Sequence, residues 1–258
     1  MSLRAYIGFD DTDCPDADRG TGKLARWFDR ELPEGCHTWG VVRQQLLVHK
    51  DIPYTSHNSS ACVIVDMVDA SLLDDLISRA AVHLERYSLE GSDPGLCVTH
   101  EADPALPGLI TFSQKCTNRV MTQKEAMEAT RTMHLSGHGG TNDGIIGAAA
   151  AVGLTAHGWS GRFIEYGDLR NVPEAARVAE LEKLNILVVS LDRDGQVPAP
   201  DHYVHSRGWL RPRLWGGRPI LPVTPVENGV WESLGGKRGK DNSREKLGQL
   251  NARGHAAS

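Results

Sequence analysis

The sequence lacks closely spaced cysteines and long apolar runs. Its five cysteines are odd in number and widely spaced, and none of them forms a CxxC pair. That pattern favours reduced thiols in the cytoplasm over a disulfide framework or a zinc site. The chain reaches a charged loop by Asp10, so we expect no signal peptide, and no run is long enough to span a membrane. We therefore predict a soluble, cytoplasmic protein.

Two familiar nucleotide-binding motifs and an excess of positive charge are also missing. No Gly-Lys-Ser or Gly-Lys-Thr follows a glycine-rich stretch at Walker A spacing, and no clean GxGxxG follows a predicted strand. The net charge of −5 at pH 7 argues against bulk electrostatic binding of nucleic acid but allows a local basic patch. With 258 residues, the chain suits one large domain or two small ones.

A cluster of carboxylates follows the first predicted strand. The apolar, β-prone run 5–9 ends in Asp10, Asp11 and Asp13, shortly before a predicted helix. Three carboxylates at the end of one strand repel each other unless a cation neutralises them. Mg²⁺ takes oxygen ligands and is usually shared with substrate phosphates, so we predict that these aspartates bind Mg²⁺ and act in catalysis. The alternative is a solvated acidic turn that caps the helix.

The start of that helix is a candidate phosphate site. We predict Thr21 as the N-cap of a helix that runs through about Leu32. Its unpaired N–H groups would lie beside the carboxylates, and Lys23 would either add a positive charge or remain an ordinary solvated lysine. The predicted nucleotide- or phosphate-binding residues in this part of the chain are Thr12, Gly20, Thr21, Gly22 and Lys23.

A second glycine-rich link lies in the stretch 136–153 and leads into a helix of small and apolar residues. Glycines let a backbone approach a phosphate closely, and the helix N-terminus behind them supplies N–H donors. We predict that Gly137, Gly139, Gly140 and Thr141 cradle a phosphate. The alternative is a glycine-rich turn that caps a buried helix.

Two further segments supply candidate substrate contacts. The polar loop 50–60 contains His57 and Asn58, which we predict to contact the substrate. The segment 207–218 interleaves four arginines with two tryptophans, which would stack on bases, clamp phosphates, or pack over a sheet edge with the arginines in water. The segment 235–258 is rich in glycine, lysine and arginine, and we predict a mobile basic tail.

Periodicity and turn residues predict the remaining elements. The predicted strands are 38–48, 61–68, 96–99, 161–167 and 185–191. The predicted helices are 71–90, 122–134 and 173–184, and the segment 101–108 is predicted to be an exposed loop.

Four segments occur in order along the chain: Ile7-Gly-Phe-Asp-Asp-Thr-Asp13, Asp51-Ile-Pro-Tyr-Thr55, Asp93-Pro-Gly-Leu96, and 137–153 followed by Phe163-Ile-Glu-Tyr166. In order and spacing they resemble the archaeal agmatinylcytidine synthetase family, which modifies the anticodon cytidine of an isoleucine tRNA. The resemblance covers roughly residues 4–225.

The resemblance implies an α/β (α+β) fold, with a kinase-like mixed-sheet catalytic domain and a ferredoxin-like α/β subdomain. The catalytic region would span 1–234, with the ferredoxin-like part within about 61–135. It also implies that ATP and Mg²⁺ activate a cytidine carbonyl, whose oxygen agmatine displaces. Carried over by position, Asp10, Asp11 and Asp13 would bind metal or phosphate, and Asp93 would contact the substrate.

Two departures from that family affect the predicted acceptor. Members continue into an OB-fold and a zinc ribbon that hold the tRNA, and we expect neither here. Where they carry a basic Thr-Arg-Gly-Asn-Gly loop, this chain has Thr55-Ser-His-Asn-Ser59. We therefore expect ATP- and Mg²⁺-dependent phosphoryl or adenylyl transfer to tRNA or a small molecule, with an amine as a further substrate. The alternative is a non-catalytic nucleotide- or RNA-binding module.

Overall fold

The structure is a computed structural model that describes residues 2–14, 17–52, 57–206 and 208–235. The predicted basic tail beyond Gly235 lies outside the described residues. So do residues 53–56 of the predicted polar loop and residue 207 of the segment of arginines and tryptophans.

The described residues form a single mixed sheet. Its strands are β1 (Leu3–Asp10), β2 (Cys36–Gln45), β3 (Ser59–Met67), β4 (Gly95–His100), β5 (His134–Gly137), β6 (Arg162–Glu165), β7 (Ala175–Arg177), β8 (Leu187–Ser190), β9 (Tyr203–His205), β10 (Arg213–Trp215), β11 (Arg218–Glu227) and β12 (Val230–Ser233). The order is β5-β4-β1-β3-β2-β6-β10-β11-β12-β9-β7, and β8 pairs with β11. All pairs are antiparallel except β8 with β11 and β9 with β12.

Six α-helices accompany this sheet in the described residues. They are α1 (Thr21–Trp27), α2 (Leu73–Tyr87), α3 (Leu106–Lys115), α4 (Gln123–Ala129), α5 (Gly144–His157) and α6 (Val178–Lys183). Short 3₁₀ turns occur at Phe28–Glu31, Ala70–Leu72 and Leu169–Asn171. Within the described ranges, no helix has the length and apolar character needed to cross a membrane. The predicted α/β class is confirmed, whereas its division into kinase-like and ferredoxin-like parts stays a prediction.

The N-terminal strands are buried on both faces. Alternate residues of a strand point to opposite faces, so Ile7 and Phe9 pack with α1 and α2, while Tyr6 belongs to the core that contains α3 and α5. Strand β1 lies between β3 and β4, at the centre of these two layers. The residues that follow Asp10 are therefore positioned by a central strand that is buried on both faces.

Glycines let α5 lie directly on the strands. A Cβ atom at Gly8 of β1 would overlap the Ala148 carbonyl of α5, and one at Gly95 of β4 would overlap the Gly144 backbone. The helix itself is almost wholly buried, and four consecutive alanines, 148–151, line its middle. The predicted tight burial of this helix is therefore confirmed, and it brings the start of α5 beside the end of β1.

Two predicted helices have different bounds in the structure. The helix predicted over 122–134 ends at Ala129, although its predicted capping box between Thr122 and Glu125 is present. His134 instead begins β5, because that segment pairs with β4. The helix predicted from Pro173 begins only at Val178, since β7 pairs with β9 first.

A third helix was not predicted. Helix α3 occupies the end of the segment predicted as a loop and the residues that follow it. The Asp103 carboxylate accepts a hydrogen bond from the Ala105 N–H at 2.8 Å, and Pro107 lies in the first turn, where proline is well tolerated. The prolines and aspartates that suggested a loop thus mark a helix start.

We expect Gly8→Ala to destabilise the fold by roughly 1–3 kcal/mol, because the added methyl group has no room against α5. Gly108→Ala is the matched control: its Cβ meets nothing within 4 Å, it lies in the first turn of α3, and alanine is a better helix former than glycine. That control should stabilise the chain by roughly 0.5–1 kcal/mol. Urea unfolding of both variants measures the two shifts. Equal effects would contradict the close packing of β1 on α5.

Candidate functional site

The acidic loop begins where β1 leaves the sheet. Asp11 has a left-handed backbone, with φ +50°. Its carbonyl accepts the Asp93 N–H at 3.2 Å, and the Thr12 carbonyl accepts the Leu89 N–H at 3.1 Å. These two hydrogen bonds fix the loop to the segment between α2 and β4. The turn at Asp11 is thereby set by the fold around it.

The surroundings of Asp10 and Asp11 disfavour the charged form of their carboxylates. The Asp10 carboxylate packs so closely on Gly147 of α5 that any side chain there would overlap it. Burial, with the charge of Asp11, raises the pKa of Asp10 to about 8. Burial also raises the pKa of Asp11, to about 6, with contributions from three further aspartates. A cation at this point would relieve both effects.

Asp10 and Asp11 open into a pocket of about 350 Å³. Its other acidic residues are Asp51 and Asp143, and much of the remaining wall is apolar. No group of three or more His, Cys, Asp or Glu side chains is already gathered around one point in the described part of the chain. Mg²⁺ commonly takes only one or two carboxylates and completes its shell with water and phosphate oxygens. The donor set at Asp10 and Asp11 fits that mode of binding.

Asp13 lies on the other side of the loop, in a larger cleft of about 850 Å³. A Cβ atom at Gly20 would lie 2.9 Å from its Oδ2, so the carboxylate sits beside the start of α1. Burial raises the pKa of Asp13 as well. The three aspartates predicted to share one metal are thus divided between two adjoining pockets, with Asp10 and Asp11 together.

The start of α1 differs from its prediction. Gly20 is the N-cap, and Thr21 is the first helical residue, so the predicted capping role of Thr21 is wrong. The Thr21 side chain instead joins that of Thr12, with 3.1 Å between their hydroxyl oxygens, and both are buried. These two threonines tie the acidic loop to the helix. Gly22 and Lys23 line the larger cleft, and the Lys23 ammonium lies over the Trp27 ring.

The second glycine-rich loop is wrapped around Asp93. The backbone N–H groups of Thr141, Asn142 and Asp143 and the Thr141 hydroxyl all donate to the Asp93 carboxylate. Left-handed backbones at Gly140 and Asn142 make this wrapping possible. A phosphate bound to these N–H groups would have to displace Asp93. The predicted substrate contact of Asp93 and the predicted phosphate cradle therefore meet at one place, and the carboxylate occupies it.

The predicted glycines of this loop have separate surroundings. Gly137 ends β5 and faces the Asn142 side chain, and Gly139 lies against Pro94. Neither glycine lines the acidic pocket, whose wall from this region is Asp143 and the start of α5. The end of the glycine-rich loop therefore lies at the acidic pocket, and its beginning does not.

The larger cleft is strongly basic. Its cationic lining residues are Lys23, Arg26, Arg43, Arg162, Arg170 and Arg211. Glu165 lies 2.8 Å from Arg26 and 3.0 Å from Arg170, so one carboxylate is shared by two guanidinium groups. Burial, together with the charges of four neighbouring arginines, lowers the pKa of Arg211 to about 10. The protein therefore holds more positive charge here than its own carboxylates neutralise.

Three arginines lie side by side across neighbouring strands. Arg43 of β2 is the direct partner of Arg162 of β6, which is also the partner of Arg213 of β10. Like charges directly opposite each other on antiparallel strands destabilise a sheet. The buried Nε of Arg213 has no hydrogen-bond partner among the described residues. A bound anion would offset the repulsion, so this row of arginines indicates an anion-binding surface.

Sequence patterns found only part of this cleft. Trp209 and Arg211 line it, with the Arg211 guanidinium 4.1 Å from the Trp209 ring, whereas Trp215 and Arg218 belong to β10 and β11. The second half of the segment thus packs in the sheet, and the predicted stacking on bases or clamping of phosphates by Trp209 and Arg211 stays a prediction. The residues that were missed are Arg26, Arg43, Arg162 and Arg170. They lie far apart in sequence, and only the pairing of β2 with β6 brings two of them together.

Two described residues of the predicted polar loop line different pockets. His57 lines the basic cleft and Asn58 lines the acidic pocket. The Asn58 side-chain amide donates to the Leu47 carbonyl at 2.6 Å, so it also joins the residue before β3 to the segment after β2. Their predicted substrate contacts stay predictions, and both residues lie where such contacts are possible.

Comparison with known proteins gives only structural matches. No family model matches the sequence, and no curated protein does. A structure titled tRNA fluorescent labeling enzyme is similar over 58% of this chain and 36% of its own, with 26% identity and a TM-score of 0.49. Apo TiaS, named as an agmatidine synthetase of an isoleucine tRNA, shows 24% identity and a TM-score of 0.47 over 58% and 35% of the two chains.

A complex of TiaS with its tRNA, AMPCPP and agmatine is similar over 58% of this chain and 36% of its own, with 24% identity and a TM-score of 0.48. The matched region thus spans only about a third of each of these solved chains. The TiaS structures are of the kind of enzyme that the sequence motifs resemble.

We expect Asp10→Asn to change the pH dependence of stability in EDTA. In the folded chain the Asp10 carboxyl keeps its proton up to about pH 8, whereas an unperturbed aspartate loses its proton near pH 4. The contribution of the protonated Asp10 carboxyl to the free energy of unfolding is therefore complete below pH 4. It is lost as the pH rises through 8. Asparagine removes this loss, so at pH 8 the variant should be more stable than wild type by about 1 kcal/mol or more.

Urea unfolding at pH 5 and pH 8 measures the difference. Asp29→Asn removes an exposed carboxylate and serves as the control, which should follow wild type. An Asp10→Asn variant whose stability falls with pH as steeply as that of wild type would contradict the assigned surroundings of Asp10.

Proposed function

We propose that this chain cleaves ATP in the presence of Mg²⁺ and transfers a phosphoryl or adenylyl group to an acceptor. The observation that carries the proposal is the position of the acidic loop between two pockets of opposite charge. Asp10 and Asp11 face the acidic pocket, and Asp13 faces the arginine-lined cleft. Phosphoryl transfer needs mainly positioning and neutralisation of charge, which such a pair of pockets supplies.

In this proposal the two pockets bind groups of opposite charge. Asp10 and Asp11 would hold Mg²⁺, which supplies positive charge to phosphate oxygens when it is bound. Arg43, Arg162 and Arg211 would bind the phosphates of the nucleotide or the acceptor, because guanidinium groups match phosphate oxygens in pairs. The Thr12 and Thr21 side chains keep the loop between the pockets at a fixed distance from α1.

An amine is the proposed further substrate. The acidic pocket has carboxylates at Asp51 and Asp143 beyond the pair that would bind Mg²⁺. Many of its other lining residues are apolar, and the Arg119 in its wall pairs with Glu125 at 2.6 Å. A cation on an aliphatic stem suits such a lining, since the charge pairs with carboxylates and the stem packs on apolar side chains. The resemblance of the sequence motifs supports the same assignment.

A second candidate function is a non-catalytic RNA-binding module. The row of arginines on β2, β6 and β10 and the partly exposed Trp209 favour it, because RNA offers both phosphates and bases. The two candidates share the basic cleft. They differ in whether the acidic loop binds Mg²⁺ and nucleotide, and that difference can be measured.

We expect a non-hydrolysable ATP analogue to bind the pure protein in an Mg²⁺-dependent manner. Asp10→Asn should weaken this binding at least about 10-fold, because it removes a carboxylate from the proposed metal site. Isothermal titration with and without Mg²⁺ measures both effects, and Asp29→Asn should behave as wild type. Absence of binding under either condition would refute the enzyme and favour the RNA-binding module.

We expect Arg162→Gln to weaken RNA binding and to reduce the slope of log affinity against log salt by about 1, since one phosphate contact is lost. Arg131→Gln removes the same charge from an exposed helix-end pair with Glu128 and should leave the slope unchanged. Fluorescence anisotropy with a labelled RNA over a salt series gives both slopes. Absence of RNA binding even at low salt would contradict the RNA-binding module.

A further inference from the structure

Asp93 connects the acidic loop to a second part of the acidic pocket's wall. It lies between α2 and β4, and its backbone N–H donates to the Asp11 carbonyl at 3.2 Å. Its carboxylate accepts the N–H groups of Thr141, Asn142 and Asp143 at 3.1, 2.6 and 3.1 Å. One residue thus joins the end of β1 to the segment that leads into α5.

The backbone N–H groups of residues 141–143 form an anion cradle, and the Asp93 carboxylate fills it. Successive N–H groups that point to one place bind anions, and the dipole of the helix behind them favours negative charge. A Cβ atom at Gly140 would lie 2.9 Å from the Asp93 Cγ, so the loop is closely fitted to this side chain. Hydrogen bonds from N–H groups to a carboxylate are stronger than those between neutral groups. An internal carboxylate therefore occupies the place that a phosphate would take.

Gln123, the first residue of α4, holds the same loop. Its side-chain amide donates to the Thr141 carbonyl at 2.8 Å and to Oδ1 of Asp143 at 2.6 Å. Asp143 is thus held twice, through its N–H by Asp93 and through its carboxylate by Gln123. Both contacts fix the position of an aspartate that lines the acidic pocket.

We propose that Asp93 is a positioning residue for the acidic pocket. Its carboxylate fills the anion cradle in place of a phosphate, and it thereby fixes Asp143 and the start of α5 relative to Asp10 and Asp11. The glycine-rich loop then supports the pocket, and the phosphates of a ligand bind in the basic cleft. The effect of this support on nucleotide binding rests on the proposed function, whereas the filling of the cradle does not.

Replacement of the carboxylate by a small anion tests the proposal. Asp93→Ala leaves the N–H groups of the exposed residues 141–143 open to formate from solution. We expect formate to raise the melting temperature of this variant, because a ligand that binds the folded state stabilises it. Chloride at equal ionic strength should not have this effect. In Asp93→Asn the amide fills the same space, so formate should leave its melting temperature unchanged.

Asp192→Ala is the matched control. The Asp192 carboxylate also accepts two backbone N–H groups, those of Asp194 and Gln196, but its loop lines neither pocket. This variant should melt at the same temperature in formate and in chloride.

Isothermal titration with the non-hydrolysable ATP analogue and Mg²⁺ gives a second readout. Asp93→Ala and Asp93→Asn should each lose at least about 10-fold in affinity, because the support behind the pocket is removed. Formate should restore the affinity of Asp93→Ala but not that of Asp93→Asn, which a general loss of stability would not explain. Asp192→Ala should bind the analogue as wild type does.

The positioning role and the proposed function fail separately. The positioning role is overturned if formate does not raise the melting temperature of folded Asp93→Ala, or if Asp93→Asn binds the analogue with the affinity of wild type. Absence of analogue binding by wild type would refute the proposed function and the effect of Asp93 on nucleotide binding. The melting temperatures in formate would still decide whether the Asp93 carboxylate fills the cradle.

Discussion

The contact of α5 with the central strands positions the candidate site. Glycines at Gly8, Gly95 and Gly147 remove the side chains that would hold the helix away, so helix backbone lies against strand backbone. Asp10 is the first residue of β1 to emerge beside that contact, and its carboxylate is pressed onto the helix. A wider spacing between helix and sheet would give the same carboxylate access to water. Burial of this charge, and hence its demand for a cation, follows from the packing of small residues.

The acidic loop lies between two pockets whose side chains carry charges of opposite sign. The carboxylates of Asp10 and Asp11, whose pKa values are raised, lie on one side of the acidic loop, and arginines whose pKa values are lowered lie on the other, beside Asp13. Each set is unfavourable alone, because neither is neutralised by its own neighbours. A metal ion bound to a phosphorylated ligand carries charge of both signs. Such a ligand would satisfy both sets at once.

Local sequence patterns predicted the parts of the site that are contiguous in the chain. The acidic loop after β1 and the buried helix α5 followed from a short apolar run ending in aspartates and from a run of small residues. The row of Arg43, Arg162 and Arg213 could not be predicted in this way, because it depends on the register of three strands that are distant in sequence. The role of Asp93 was hidden for the same reason: its partners lie in another loop.

The hydrogen bonds of Asp93 also bear on how the chain folds. The loop that surrounds its carboxylate lies 48 to 50 residues further along the chain. No local turn can form this arrangement, because closing so long a segment costs entropy until β4 and α5 have docked. The glycine-rich loop should therefore reach its final shape only when β4 and α5 are in place. Its final shape is a product of the completed fold, so a change in the packing of α5 would alter this loop as well as the strands on which α5 lies.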